Sequence, residues 1–176
     1  MKSPERPRIE ASASAYHDTF HPDQLTAAPT RQLVVLTCMD ARLDLFRLLG
    51  LEIGDAHILR NAGGRASDDA IRSLIVSAHW LGTREFVVIH HTGCGLHGVS
   101  NQEICDRIEA AVGQRPEIDF LPFDDIETSV RNDVARIQEC ELLPRDAIVW
   151  GGIYDVHTGS LSPVTDVLSM TTKRTP

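Results

Sequence analysis

Short apolar runs alternate along the chain with segments whose apolar residues recur every three or four positions. Four runs are rich in valine, isoleucine and leucine and predict strands buried in a parallel sheet: 32–37, 57–59, 85–90 and 147–156. A turn at 157–160 then leads into a fifth run, 161–164, which predicts an antiparallel edge strand.

The segments between the runs show helical periodicity. Ser67, followed by Asp68 and Asp69, favours a helix amino terminus, and Gly82 favours its end. Between these limits lies one apolar stripe, formed by Ile71, Leu74, Ile75 and Ala78. Two later stripes predict two more amphipathic helices: Ile104, Cys105, Ile108, Val112, and Ile126, Val130, Val134, Ile137. The segment 44–50 predicts one or two helical turns.

Alternating strands and helices predict an α/β fold. We expect a mostly parallel central sheet of four strands plus an antiparallel edge strand, with helices on both faces. Residues 1–30 are rich in Pro, Ser, Ala and His and have only weak helical character, so we expect an N-terminal arm that packs on another surface, a free tail being the alternative. Residues 31–176 are predicted to form a single domain.

Charge and hydropathy narrow the range of partners. The formal net charge is −8 and the pI is about 5.4, and there is no long basic run, so neither a nucleic acid nor a membrane is expected as a partner. Without an apolar stretch long enough to cross a bilayer or a secretory signal, the expected location is cytoplasmic. The four cysteines are then expected to bind metal or to be buried rather than to form disulfides.

Three potential metal ligands follow two of the predicted strands. Cys38 comes directly after the first run, and His91 and Cys94 come directly after the third. Ligands in open parallel sheets bind at the carboxyl ends of the strands, where these two segments can meet. Two thiolates and an imidazole suit Zn²⁺, and three protein ligands leave one coordination position for water or substrate. The pattern predicts a catalytic zinc site, a buried thiol pair being the alternative.

Asp40 and Arg42 lie next to the first predicted ligand. Their spacing permits a bidentate ion pair that keeps the Asp40 carboxylate ionised and oriented as a hydrogen-bond acceptor. If Arg42 released it, Asp40 could become the fourth metal ligand and close the site. The alternative is a purely structural ion pair without a catalytic role.

Together these motifs resemble the β-class carbonic anhydrases. The resemblance rests on Cys38-Met39-Asp40-Ala41-Arg42, on Arg60-Asn61-Ala62-Gly63, and on His91-Thr92-Gly93-Cys94-Gly95. It implies one Zn²⁺ per subunit on Cys38, His91 and Cys94, a catalytic pair of Asp40 and Arg42, and reversible hydration of carbon dioxide to bicarbonate and a proton. It also implies a homodimer or dimer of dimers, with pockets at the subunit interface and the N-terminal arm embracing the partner.

The same resemblance leaves the substrate open. Short members of the family include hydrolases of carbonyl sulfide and carbon disulfide, and a zinc-stabilised binding protein without turnover is a further alternative. The backbone near Gly63 and Gly95 is expected to line a small apolar substrate pocket. Gly93 and Leu96 depart from the Asp and Met that the short-chain subgroup usually carries, so we expect the rim of that pocket to differ from the subgroup's.

Overall fold

A computed structural model describes residues 3–22 and 25–170. Within these residues the sheet contains six strands: β1 Leu33–Cys38, β2 Ala56–Asn61, β3 Glu85–His91, β4 Ile148–Tyr154, β5 Leu161–Pro163 and β6 Leu168–Ser169. Their order is β2-β1-β3-β4-β5, and β6 pairs with β4. The first four strands are parallel, whereas β5 and β6 run antiparallel to β4. The predicted parallel sheet with an antiparallel edge is thereby confirmed.

In the described part of the chain, five α-helices accompany the sheet: α1 Arg6–Thr19, α2 Leu45–Leu49, α3 Asp68–Leu81, α4 Asn101–Val112 and α5 Ile126–Gln138. Helix α3 begins as its sequence predicts, because the Ser67 side chain accepts a hydrogen bond from the Ala70 amide, and it ends at Gly82 in the left-handed conformation. Ser100 and Glu103 form a capping box that fixes the start of α4.

Helices α3 and α5 cover one face of the sheet. Their apolar stripes pack with buried strand residues into the larger part of the core, which includes Leu74, Ala78, Phe86, Val134 and Ile137. Gly151 on β4 allows α5 to approach closely, because a Cβ there would lie 2.4 Å from Val130 Cγ1. The pairing of β1 with β3, with Thr37 in register with Ile89, fixes where the carboxyl ends of these strands meet.

The opposite face of the sheet is covered more lightly. Leu33, Val35, Leu51, Val87 and Ile89 form its buried cluster, and the short helix α2 contributes the partly buried Leu49. The helices therefore lie on both faces, as expected, but unequally.

The predicted N-terminal arm contacts the domain through residues 25–30, where the Thr30 amide donates to the Gly54 carbonyl at 2.9 Å. Its longer described part is helix α1. This helix has no buried residue, and Ile9 and Tyr16 are exposed. Among the described residues, no helix is long and apolar enough to span a membrane.

Candidate active site

The site is assembled by the carboxyl ends of two adjacent parallel strands. Cys38 is the last residue of β1 and His91 the last residue of β3, and Thr37 is in register with Ile89. Cys94 follows in the turn after β3. One potential ligand atom from each of Cys38, His91 and Cys94 lies within 4.8 Å of the others, and all three residues are buried. The fold therefore brings together the three residues that the sequence predicts as ligands.

The turn after β3 orients the imidazole of His91. Nδ1 of His91 lies 3.0 Å from the Thr92 carbonyl oxygen, so this nitrogen donates to the carbonyl and the lone pair is left on Nε2. Nε2 is buried and has no hydrogen-bond partner within the described chain. Gly93 adopts a left-handed φ of 65°, which lets the turn bring Cys94 back toward the imidazole.

The two thiols have very different proton affinities. A hydrogen bond from Cys94 lowers the pKa of Cys38 to about 4, although burial opposes this shift. The nearby His91 side chain and the backbone amides of Asp40 and Gly63 also lower the pKa of Cys38. The pKa of Cys94 is raised by its hydrogen bond to Cys38 and by burial. The pair thus gives up its first proton easily and holds the second.

These features fit a zinc ion. Two sulfurs and an imidazole nitrogen are ligands that Zn²⁺ prefers, and a buried Nε2 without a partner would gain one by binding the metal. A divalent cation would also supply the positive charge that stabilises Cys94 as a second thiolate beside Cys38.

Asp40 and Arg42 form the predicted pair beside the three ligands. Asp40 Oδ1 accepts hydrogen bonds from the Arg42 amide and from its Nε, both at 2.9 Å, and Oδ2 accepts from Nη2 at 2.7 Å. These contacts hold the pKa of Asp40 well below its usual range. Oδ2 also lies 3.8 Å from Nε2 of His91, so the carboxylate faces the ligand cluster while it remains bound to Arg42.

Arg42 connects the two loops of the site. Its Nη2 also donates to the Gly93 carbonyl at 2.9 Å, so one guanidinium holds both the loop after β1 and the turn after β3. Gly93 lacks a side chain at this point, and a Cβ there would lie 3.7 Å from Arg42 Nη1. The departure at Gly93 therefore alters the immediate surroundings of Arg42.

The two glycines predicted to line the pocket differ in their surroundings. Gly63 has a φ of 77°, and a Cβ on it would lie 3.1 Å from Leu96 Cδ1, so its backbone packs closely at the site. Gly95 is exposed and a Cβ there would contact nothing within 4 Å. Gly64, which the pattern did not single out, is more restricted, because a Cβ on it would lie 2.8 Å from the Cys38 nitrogen.

Sequence reasoning missed a buried ionic cluster behind the site. Arg65 Nε lies 2.7 Å from Asp133 Oδ2 on α5, and His90 Nε2 lies 3.2 Å from the same oxygen. Burial alone would raise the pKa of Asp133, but the contacts with His90 and Arg65 outweigh it and lower the pKa. No spacing in the sequence relates residues 65, 90 and 133, so only the fold reveals that they meet.

Comparison with known proteins places the chain in a family. Residues 33–116 match the family model described as carbonic anhydrase. The chain is 38% identical over 141 residues to β-carbonic anhydrase 1 of Mycobacterium tuberculosis, an alignment that covers 80% of this chain and 86% of that protein. This chain belongs to the β-carbonic anhydrase family. The resemblance inferred from its motifs is thereby confirmed.

Other members of the β-carbonic anhydrase family are also similar to this chain. The crystal structure of a carbonic anhydrase from Streptococcus mutans superimposes with a TM-score of 0.89 at 43% identity, covering 94% of this chain and all of that one. A carbon disulfide hydrolase from Acidithiobacillus thiooxidans is 31% identical, over 80% of each protein. The family thus includes proteins named for two different substrates.

Proposed function

We propose that this protein is a zinc-dependent carbonic anhydrase, a lyase that reversibly hydrates carbon dioxide to bicarbonate and a proton. The observation that carries this proposal is the buried cluster of Cys38, His91 and Cys94 with Asp40 directed toward it. The identity to proteins named as carbonic anhydrases, 38% and 43% in two cases, supports the choice of substrate.

Cys38, His91 and Cys94 would hold one Zn²⁺ per subunit. When bound, zinc lowers the pKa of a coordinated water from about 15.7 by several units and so supplies a nucleophile near neutral pH. The tautomer of His91 is suited to this role, because Nδ1 donates to Thr92 and Nε2 remains available.

Asp40 and Arg42 would act on the reacting groups without binding the metal. Asp40 is ionised and can only accept hydrogen bonds, so it selects a nucleophile that presents a proton to it and orients a lone pair toward the substrate. Arg42 fixes the carboxylate by two side-chain hydrogen bonds and keeps it from approaching the metal ligands. In the closed state that we propose, Asp40 is released from Arg42 and becomes the fourth metal ligand.

The surroundings of the ligands suit a small apolar substrate. Cys38 and Cys94 pack in one cluster with the buried Leu43 and Phe123, and several partly buried residues complete it, among them Leu96 and Val156. Gly63 lies against Leu96, so we place the substrate pocket along this side. Carbon dioxide has no hydrogen-bond donor, and apolar walls exclude water from it at little cost.

The substrate is tested by measuring two reactions on the same zinc-quantified protein. Stopped-flow hydration of carbon dioxide and sulfide release from carbonyl sulfide and carbon disulfide are compared at pH 7.5 and 8.5. We expect hydration to be much the faster reaction per zinc. Rapid sulfide release with slow hydration would instead assign the protein to the carbon disulfide hydrolases, whose 31% identity makes them the second candidate. Neither reaction at full zinc occupancy would favour a non-catalytic zinc protein.

We further propose that the protein works in the cytoplasm as a homodimer, or as a dimer of dimers, of a domain spanning residues 31–176. Strand β2 is at the end of the described sheet, and a groove of about 390 Å³ runs between it and α3. Ile58, Leu59 and Val76 supply apolar surface there. The arm formed by residues 1–30 includes α1, which has no buried residue, so we place its apolar side chains against a second copy.

A further inference from the structure

Arg60 binds the backbone of the loop that carries both Cys38 and Asp40. This arginine is next to last in β2, and its guanidinium donates to three carbonyl oxygens of the neighbouring loop. Nε donates to Cys38 at 3.0 Å, Nη2 to Asp40 at 2.5 Å and Nη1 to Leu43 at 3.4 Å. One side chain therefore contacts the beginning, the middle and the end of the loop 38–43.

Burial cannot hold this loop in place by itself. Cys38 and Leu43 are buried at its two ends, but Met39 is 67% exposed and Ala41 is exposed as well. Hydrogen bonds must therefore define the backbone between the ends. Apart from those of Arg60, they include the Met39 amide to the Asn61 carbonyl at 2.9 Å, the Leu43 amide to the Asp40 carbonyl at 3.2 Å, and the Arg42 amide to the Asp40 carboxylate at 2.9 Å.

Arg42 on the loop and Arg60 on β2 bind different parts of Asp40. Arg42 binds the carboxylate, and Arg60 binds the backbone carbonyl of the same residue. A carboxylate that must meet a nucleophile at hydrogen-bond distance tolerates little displacement, since errors of about 1 Å can cost a hundredfold in rate. Fixing the side chain relative to Arg42 is not sufficient if the loop that carries both residues can shift.

We propose that Arg60 is a positioning residue for the hydration reaction, which locks the loop 38–43 to the end of β2 so that Asp40 faces the metal ligands. The expected effect of Arg60 on the rate rests on the proposed function. The expected effect on the loop does not, because Arg60 should hold the loop 38–43 whatever reaction the protein catalyses. The two effects can be measured separately.

Arg84 supplies a matched control. Its Nη1 donates to the Ala78 and Thr83 carbonyls at 2.9 and 2.8 Å, and its Nε donates to Asp146. It is thus another arginine that binds backbone carbonyls, but it lies just before β3, at the end of the sheet opposite the site. Arg84→Gln reports the general cost of losing such contacts.

The test compares Arg60→Gln, Arg60→Lys and Arg84→Gln with the zinc-replete wild type. We expect Arg60→Gln to bind one zinc per chain and to lose about tenfold or more in kcat with a change of less than about threefold in KM. Arg60→Lys, whose ammonium cannot serve three separated carbonyls, is expected to recover only part of kcat. Arg84→Gln should keep the kcat of the wild type.

Hydrogen exchange provides the readout that does not depend on activity. The amides of residues 39–43 should exchange at least about fivefold faster in Arg60→Gln, with exchange in β3 and α5 unchanged, and no such local change should appear in Arg84→Gln. Wild-type kcat together with wild-type exchange in Arg60→Gln would overturn the inference. If the wild type itself fails to hydrate carbon dioxide, the proposed function fails, and the exchange of residues 39–43 alone then decides for or against Arg60.

Discussion

At the scale of single residues, the site depends on two cysteines that share one proton. Cys38 is a thiolate at neutral pH, whereas Cys94 keeps its proton because its pKa is raised. A zinc ion bound as proposed would have to displace the proton of Cys94, since the metal binds the thiolate and not the thiol. We therefore expect the affinity for zinc to fall as the pH falls.

We predict that zinc binding at pH 7.5 releases about one proton or more per ion. Calorimetric titrations in two buffers of different ionisation enthalpy measure this number.

Cys38→Ser should lose most of its zinc affinity, whereas Cys105→Ser, which changes a buried cysteine outside the cluster, should bind zinc as the wild type does. Zinc binding without proton release, or with an affinity independent of pH, would contradict this account of the two thiols.

Asp40→Asn tests the carboxylate as an acceptor. The amide cannot supply a charge to Arg42, and it can present a donor where an acceptor is needed. We predict that the variant keeps one zinc per chain and loses about a hundredfold in kcat for carbon dioxide hydration. Metal analysis and stopped-flow kinetics on the same sample measure both quantities. A variant with full turnover would remove Asp40 from the mechanism.

The residues that we propose bind the metal or act on the substrate could be selected from the sequence, because local spacing relates them. Cys38, Asp40 and Arg42 fall within five consecutive positions, and His91 and Cys94 fall within four. Arg60 was not predicted, because its role depends on the parallel pairing of β2 with β1, which brings it opposite Thr37. That pairing is a long-range property that no spacing within a motif reports.

At the scale of elements, one buried ion pair ties helix α5 to the site. Asp133 on α5 binds Arg65, which follows the turn containing Gly63, and also His90 on β3. Removing one partner of a buried pair leaves the other charge without compensation, which typically costs about 3 to 5 kcal/mol. The cluster should therefore matter far more to stability than the exposed ion pairs do.

We predict that Asp133→Asn lowers the free energy of unfolding by about 3 kcal/mol at pH 7. Asp146→Asn, which breaks a pair whose carboxylate is 73% exposed, should cost less than about 1 kcal/mol. The pKa of Asp133 is lowered in the folded state, so its stabilisation is present above its unfolded pKa of about 3.9 and is lost as the pH falls through the folded value. Urea unfolding of the wild type and both variants at pH 7 and below pH 4 measures the free energies of unfolding. Equal losses of this free energy in the two variants at pH 7 would contradict the role of the cluster.

The elements themselves follow closely from local patterns. The Ser67 cap and the stripe of α3 predicted its bounds, and the apolar runs located β1 and β3. Two features escaped prediction for physical reasons. Strand β6 has only two residues and exists because it pairs with β4. Helix α1 was indicated only by weak helical character around 11–20, and it extends over Arg6–Thr19 without the apolar stripe by which buried helices are recognised.

At the scale of the whole molecule, no residue of α1 is buried by the part of the chain that the structure describes. Moving the exposed Ile9 and Tyr16 side chains out of water is favourable, and in the proposed dimer they would pack against the second copy. We predict that deletion of residues 1–20 weakens dimerisation by at least about tenfold while the core keeps its cooperative unfolding. Sedimentation of the full and shortened chains over a range of concentrations measures the effect. An unchanged dimer would leave the arm without this role.

The measurement that tests the central claim most directly is the rate of carbon dioxide hydration as zinc is returned to the metal-free protein. The account predicts no appreciable activity without zinc, a linear rise of the rate with bound zinc, and saturation at about one zinc per chain. Full activity before zinc is added would contradict it. So would a chain that holds one zinc on Cys38, His91 and Cys94 and still fails to hydrate carbon dioxide.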